Sequence, residues 1–256
     1  MPAYDPRAQQ SDVESDRKGS RLSETLVRFE RFQNDFKIRV LLDDVPPSPD
    51  ISYTLLKGDD SASLCSFGDL FDGEMRKYPP QLLAISRIEG FALVKDLRWN
   101  DMPVIGLASS RLRTIYLDMS AFQITDNAAA KERQKMVIHH EVFHHIDVAI
   151  NGPECFVRDD AWPQRRTSPS DFAPAALDFD TSGTRPGFLF GHGAPNVGED
   201  KADVFAFCML GPAYERILPR LQTDQLLRAK FDYMRSLVQR VAPEILTLWS
   251  QLPQCM

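Results

Sequence analysis

The spacing of apolar residues predicts helices near both ends of the chain and short strands between them. Apolar side chains recur every three or four residues from Leu22 to Phe32, which predicts a helix. Apolar or alternating runs over residues 91–97, 104–108 and 114–119 are typical of strands and predict a small antiparallel meander. Helices and strands segregated in this way predict an α+β fold.

A long helix is predicted to follow the strands. Thr125 or Asp126 can cap it, and the chain then runs without Gly or Pro to about Ile150. Residues 151–198 show no apolar period, whereas the spacing becomes helical again after Gly198. The second half of the chain is therefore predicted to combine a long loop with several helices.

The composition divides the chain into a tail and one domain. Residues 1–20 are polar and nearly free of large apolar side chains, which predicts a disordered N-terminal tail. Residues 21–256 are predicted to form a single domain with two lobes. The upper lobe, residues 21–150, holds a small mixed or antiparallel sheet and the long helix, and residues 151–256 form a lower, helical lobe.

Charge and cysteine content exclude several classes of protein. The chain has 256 residues and a formal net charge of −6, so it lacks the basic field that attracts nucleic acid. No apolar run is long enough for a transmembrane segment, and no signal peptide is recognisable, so a cytoplasmic location and export by another route both stay open. The four cysteines form no CxxC pair, which argues against a disulfide framework or a cysteine zinc site. Composition does not indicate the oligomeric state.

The histidines are distributed unevenly. The chain contains five, and four of them, His139, His140, His144 and His145, fall within seven consecutive residues of the predicted long helix. Only one pair in this group, His140 and His144, belongs to an HExxH motif, so His139 and His145 are expected to be neighbours on the helix rather than metal ligands.

The HExxH spacing suits a zinc ion. Residues His140 and His144 lie one turn apart on one helix face, so both imidazoles can reach the same tetrahedral ion. Zinc lowers the pKa of a water that it holds towards about 7. Glu141 can then take the proton of that water as general base.

A catalytic zinc needs a third protein ligand. The extended motif HExxHxxGxxH is not present, since Asp147 and Ile150 stand where it has Gly and His. The best candidate is Glu199 at the predicted start of a later helix, where an acidic residue could equally serve the helix dipole. Asp200 is a weaker candidate, and Asp203 could support a liganding imidazole through a hydrogen bond.

Several segments together resemble a known family. HHEVFHHID, a downstream ED-x-A-D-x-F segment, KYPPQLL and RTIYLD are similar to segments of the gluzincin-type metallopeptidases, specifically the group of the anthrax lethal factor catalytic domain and the Pro-Pro endopeptidases. The resemblance covers residues 70–210. It implies a zincin-like fold in which His140, His144 and Glu199 hold zinc and Glu141 is the general base.

The chain departs from the pattern of this group at one position. The group places a Tyr seven residues before the Glu ligand, where its hydroxyl is thought to stabilise the oxyanion of the tetrahedral intermediate. This chain has His192 there, between two glycines. An imidazole N–H could do the same electrostatic work, or His192 could be an ordinary loop residue in a weakened enzyme.

Substrate binding is expected at a strand. Zincin-like folds pair an extended peptide with the edge strand of the sheet. The order of the elements makes residues 104–109 the expected edge, with Gly106, Leu107 and Ala108 as the binding residues. Gly106 would allow a second backbone to approach closely.

The sequence therefore predicts a zinc-dependent metalloendopeptidase that hydrolyses a peptide or protein substrate. The alternative is an inactive or weakly active peptidase-like module that binds zinc or peptides, and the substitution at His192 favours it. A third possibility is a zinc hydrolase that acts on another kind of bond, because the activation of water does not identify which bond is hydrolysed.

Overall fold

The computed structural model describes residues 6–123, 125, 127–163, 186–190 and 196–249, and within these ranges the side chains of residues 6–18 and 212–214 are not described. The fold is mixed α+β, as the sequence predicts. Within the described ranges, no helix has both the length and the apolar character that spanning a membrane requires.

Eight α-helices and six β-strands occur among the described residues. In chain order they are α1 (Pro6–Phe36), β1 (Arg39–Leu41), β2 (Ile51–Leu55), α2 (Ser61–Met75), α3 (Pro80–Ser86), β3 (Gly90–Trp99), β4 (Met102–Pro103), β5 (Gly106–Ser109), β6 (Thr114–Asp118), α4 (Ala128–Asn151), α5 (Val197–Met209), α6 (Leu218–Thr223), α7 (Gln225–Val241) and α8 (Ile245–Trp249).

The first helix is longer than the composition suggests. α1 begins at Pro6, so its backbone is helical through most of the stretch for which a disordered tail is predicted, and residues 1–5 lie outside the described residues. Pro is well suited to the first helical position, and no Gly or Pro follows until Gly19. The helical backbone therefore continues from Pro6 into the part of the chain that carries the apolar period.

The sheet is mixed rather than an antiparallel meander. Its main path is β1-β3-β6-β5, in which β3 pairs parallel to β1 and β6, and β5 pairs antiparallel to β6. The second half of β3 also pairs antiparallel with β2 and β4. The meander prediction is wrong because β4 and β5 carry the chain back across the sheet before β6 begins. Strand periodicity does not encode that reversal.

One face of the sheet is covered by helices. Aromatic side chains of α1 and α2 pack against β3 there: the ring of Phe71 lies 4.9 Å from Phe91 and 4.8 Å from Phe32, both edge to face. The other face buries a smaller cluster that includes Val94 and Tyr116. The central strands are therefore buried on both faces, and α4 packs against the face that the helices cover.

The long helix begins and ends close to the predicted positions. Asn127, rather than Thr125, caps α4, because its side chain accepts hydrogen bonds from the N–H groups of Ala129 and Ala130. Asp126 lies outside the described residues. Gly152, with φ of 83°, ends the helix in a conformation that suits glycine.

The C-terminal helices pack on the far side of α4. α5 lies directly against α4, with Phe205 stacked on Phe143 at 4.7 Å. α7 then covers α5, where Phe231 meets Phe207 edge to face. A single buried cluster continues from α1 to α8 through these contacts.

Two glycines of α2 provide a test of this packing. A Cβ at Gly68 would lie 2.5 Å from Thr25 Cγ2 on α1, whereas a Cβ at Gly73 meets nothing within 4 Å. We expect Gly68→Ala to destabilise the protein by about 1–3 kcal/mol through overpacking. Gly73→Ala, the control, should stabilise it by about 0.5–1 kcal/mol through helix propensity. Urea unfolding measures both, and two changes of the same sign would contradict the α1–α2 contact.

Candidate metal centre

Two helices bring three potential metal ligands together. His140 and His144 lie on one face of α4, with their rings 4.7 Å apart and nearly perpendicular. The first turn of α5 places Glu199 beside them, with Oε2 2.9 Å from His140 Nε2 and Oε1 3.5 Å from His144 Nε2. One ligand atom from each residue lies within 4.8 Å of the others.

These distances can be compared with those of a tetrahedral zinc site. Zinc holds imidazole nitrogen and carboxylate oxygen at about 2.0–2.2 Å, which separates two such ligands by about 3.3 Å. The contacts of Glu199 with His140 and His144, at 2.9 and 3.5 Å, involve its two different oxygens, and one ligand atom from each of the three residues lies within 4.8 Å of the others. The three side chains would therefore have to adjust before they could surround one ion.

The start of α5 explains why Glu199 is free to face the histidines. Asn196 caps the helix, and its side chain accepts a hydrogen bond of 2.9 Å from the Glu199 N–H. The capping function that an acidic residue at this position could supply is therefore performed by Asn196. Asp200 points elsewhere, since it accepts a hydrogen bond from Trp162 Nε1 and pairs with Lys230.

Asp203 orients the first imidazole. Its Oδ1 lies 3.0 Å from His140 Nδ1, one helical turn beyond Glu199. An imidazole that donates Nδ1–H to a carboxylate keeps the lone pair of Nε2 for a metal ion. The structure therefore gives Asp203 the contact that its spacing predicts.

Burial and pairing set the protonation of the ligands. Burial raises the pKa of Glu199, but the hydrogen bond from His140 and the neighbouring imidazole charges outweigh it and lower the pKa to about 2. Burial lowers the pKa of His144 to about 3, so this imidazole is neutral at pH 7. Burial also acts to lower the pKa of His140, but its hydrogen bonds with Asp203 and Glu199 raise it well above the ordinary value.

Glu141 is buried between the ligands and the edge of the sheet. Burial raises its pKa to about 7, although the charge of His140 and a backbone hydrogen bond from Ala108 act in the opposite direction. A carboxyl group with a pKa near neutrality is well suited to accept and return a proton.

Gly106 provides the space that Glu141 occupies. A Cβ at position 106 would lie 2.6 Å from Glu141 Oε1 and 2.9 Å from Val137 Cγ1. The buried carboxyl group of Glu141 therefore requires glycine at position 106, whether or not a substrate binds at β5.

β5 lies at the edge of the sheet, where the order of the elements predicts it. Among the described strands only β6 pairs with it. Because Asp118 N–H donates to Ile105 O, the alternation of an antiparallel pair turns the N–H and C=O groups of Gly106 and Ala108 away from β6. Leu107 differs from them, since its backbone faces β6 and its side chain packs in the cluster on the other face of the sheet.

His192 lies outside the described residues, which resume at Asn196 after Phe190. Its role at the oxyanion therefore stays a prediction.

His139 is part of a buried network. Its side chain is fully buried, with Nδ1 2.7 Å from the Tyr78 hydroxyl and Nε2 2.9 Å from Glu74 Oε2. Glu74 also pairs with Lys77 and Lys135. Burial raises the pKa of Glu74, but hydrogen bonds from His139 and Lys77 outweigh it and lower the pKa to about 2. Local sequence could not reveal this buried network, because the partners of His139 come from α2 and from the turn before α3.

His145 has a different environment. It is buried, and within the described part of the chain its Nε2 has no hydrogen-bond partner. Burial lowers its pKa to about 4, so it is neutral at pH 7. Both outer histidines of the cluster are therefore parts of the core, and neither joins the ligand group.

Comparison of the chain with protein-family models, with curated proteins and with solved structures finds no match. The geometry of the site alone therefore supports a functional inference.

The two outer histidines should differ in their contribution to stability. His139→Leu leaves the Tyr78 hydroxyl without its imidazole partner and weakens the pairing of Glu74, so we expect a loss of about 2–4 kcal/mol. His145→Leu, the control, removes a ring whose Nε2 makes no hydrogen bond within the described residues and which has one hydrogen bond with the Thr114 backbone, so we expect a smaller loss, of about 0.5–1.5 kcal/mol. Chemical denaturation compares the two, and equal losses would contradict the proposed difference in environment.

Proposed function

We propose that the chain is a zinc-dependent metallopeptidase with a zincin-like fold, related to the gluzincin group. One observation carries the proposal: the three-ligand cluster of His140, His144 and Glu199 lies beside a buried carboxyl group, Glu141, and beside β5, which pairs with β6 alone among the described strands. A structural zinc site is closed by a fourth protein ligand, whereas a catalytic site keeps that position open. The described residues supply three ligands for the proposed ion.

The charges of the site also favour a cation. Three carboxyl groups, Glu141, Glu199 and Asp203, approach two imidazoles in a buried space. The charge of Glu199 contributes to the raised pKa values of Glu141 and Asp203. A divalent cation between the ligands would offset this repulsion and would let all three groups ionise together.

Within this proposal the protein residues position and move protons. Zinc, when bound, lowers the pKa of water to near neutrality and polarises a carbonyl group. Glu141 takes a proton from the attacking water and delivers it to the amine nitrogen that leaves the scissile bond. Asp203 keeps the imidazole of His140 oriented, so that Nε2 stays directed at the ligand position.

The edge of β5 would hold the substrate. Its outward groups, the N–H and C=O of Gly106 and the C=O of Ala108, can pair with an extended peptide, whereas the Ala108 N–H already donates to Glu141. Ala108 also forms a hydrogen bond with Glu141, so a peptide on this edge would lie next to the proposed general base. A substrate that binds as a strand is therefore a peptide or an unfolded protein segment.

Glu141→Gln separates catalysis from metal binding. We expect it to keep one zinc ion per chain and to lower kcat for peptide hydrolysis by about 10²–10⁴-fold, since general-base catalysis contributes on that order. Glu132→Gln, on the exposed surface of the same helix, is the matched control and should leave turnover unchanged. Mass spectrometry of a peptide library digested by each variant provides the measurement. Identical product profiles for wild type and Glu141→Gln would contradict the mechanism and favour a binding module.

Gly106→Ala tests the place of the general base. The new Cβ would collide with Glu141 and displace its carboxyl group, so we expect kcat/KM to fall by about 10–100-fold while zinc content stays the same. Zinc content and melting temperature, measured on the same sample, serve as internal controls. Unchanged kcat/KM would show that Glu141 does not act from the position described.

A further inference from the structure

Lys201 is a buried cation close to the metal centre. It lies on α5 two residues after Glu199, and its side chain has no solvent exposure. Its Nζ lies 2.5 Å from Asp147 Oδ2 and 3.1 Å from Asp159 Oδ2. Neither the ligands nor the proposed general base contact this ammonium group directly in the described structure.

The two carboxylates are themselves fixed by neighbours. Asp147 lies on α4, three residues after the ligand His144, and accepts a hydrogen bond of 2.7 Å from Asn151. Asp159 accepts a hydrogen bond of 3.0 Å from the Tyr233 hydroxyl on α7. Lys201 therefore joins the helix that carries Glu199 to the helix that carries the histidines.

The position of Lys201 on α5 restricts how that helix can move. Residues two apart in an α-helix point about 200° apart around the axis. Glu199 and Asp203 contact His140, while Lys201, which leaves α5 in another direction, reaches Asp147 two turns further along α4. Two connections that leave α5 in different directions restrict its rotation about its own axis.

Stability alone does not account for such a pair. A buried ion pair contributes little net stability compared with apolar residues of the same size, because both charges lose their hydration. It does impose one arrangement, since any other leaves a buried charge without a partner. Lys201 is therefore better explained by the geometry that it enforces.

We propose that Lys201 is a positioning residue for the metal centre, because its ion pair with Asp147 fixes the rotation of α5 and so the place of Glu199. This inference rests on the zinc site proposed above. It assigns the residue a role at the ligand position without contact with the metal.

Lys230 offers a matched control. It is also buried, and its Nζ lies 2.5 Å from a carboxylate of α5, that of Asp200. It belongs to α7, which carries none of the three ligands. The two lysines therefore share burial, chemistry and attachment to α5, and differ in whether the ion pair connects the ligand-bearing helices.

The test compares Lys201→Met and Lys230→Met in the full chain. Zinc affinity is measured by competition with a chromophoric chelator, and the visible spectrum of the cobalt(II) form reports the coordination geometry. We expect Lys201→Met to weaken zinc binding by about 10–100-fold, as the loss of a supporting partner does, and to alter the cobalt bands. Lys230→Met should keep the zinc affinity and the cobalt spectrum of the wild type, even if its melting temperature falls by as much as that of Lys201→Met.

A second variant covers the case in which Lys201→Met does not fold. Lys201→Met/Asp147→Asn removes both charges of the pair and keeps an acceptor for Asn151, and we expect it to fold with the same loss of zinc affinity. If the wild type binds zinc and the two lysine variants lose affinity equally, or lose none, the positioning role of Lys201 is overturned, but the proposed zinc site is not. A wild type that binds no zinc would overturn the zinc site and this inference with it.

Discussion

The proposed metal centre depends on one contact between two helices, α4 and α5. These helices run in opposite directions, since Phe143 meets Phe205 while Asp147, further along α4, meets Lys201, which is earlier on α5. A stacked aromatic pair contributes about 0.5–1.5 kcal/mol beyond its buried area, and each unpaired buried polar group costs about 1–3 kcal/mol. The apolar contacts alone therefore could not tolerate several unpaired charges, so each charged group in the contact must have a partner.

This requirement explains how the site is arranged. Each charged group that α5 buries has a partner on a different element: Glu199 and Asp203 pair with His140, Asp200 with Lys230, and Lys201 with Asp147. The sheet supports the other side of α4, where Gly106 leaves the space that Glu141 occupies. The ligand cluster, the buried carboxyl group and the open strand edge are thus consequences of packing one helix between a sheet and a second helix.

Local spacing predicted much of this site. The HExxH motif places two imidazoles on one helix face wherever it forms a helix, and the spacing of Glu199 and Asp203 puts both on one face of α5. The edge position of β5 followed from the order of the strands. These features depend on contacts within one element or on chain order, which a single sequence carries.

Other features depend on distant contacts and could not be predicted. The direction of β6 relative to β3 depends on how residues 100–113 cross the sheet. The burial of His139 depends on Glu74 and Tyr78, and the partner of Lys201 lies 54 residues earlier in the chain. A buried lysine and an exposed one look alike in the sequence, because the carboxylates that permit burial come from other elements.

We propose that His140, His144 and Glu199 hold one zinc ion. Anomalous diffraction from crystals of the zinc-loaded protein, recorded on both sides of the zinc absorption edge, tests it most directly. We expect a single strong peak per chain, within bonding distance of both Nε2 atoms and of a Glu199 carboxylate oxygen. No peak at this position, or a peak bound by other residues, would contradict it.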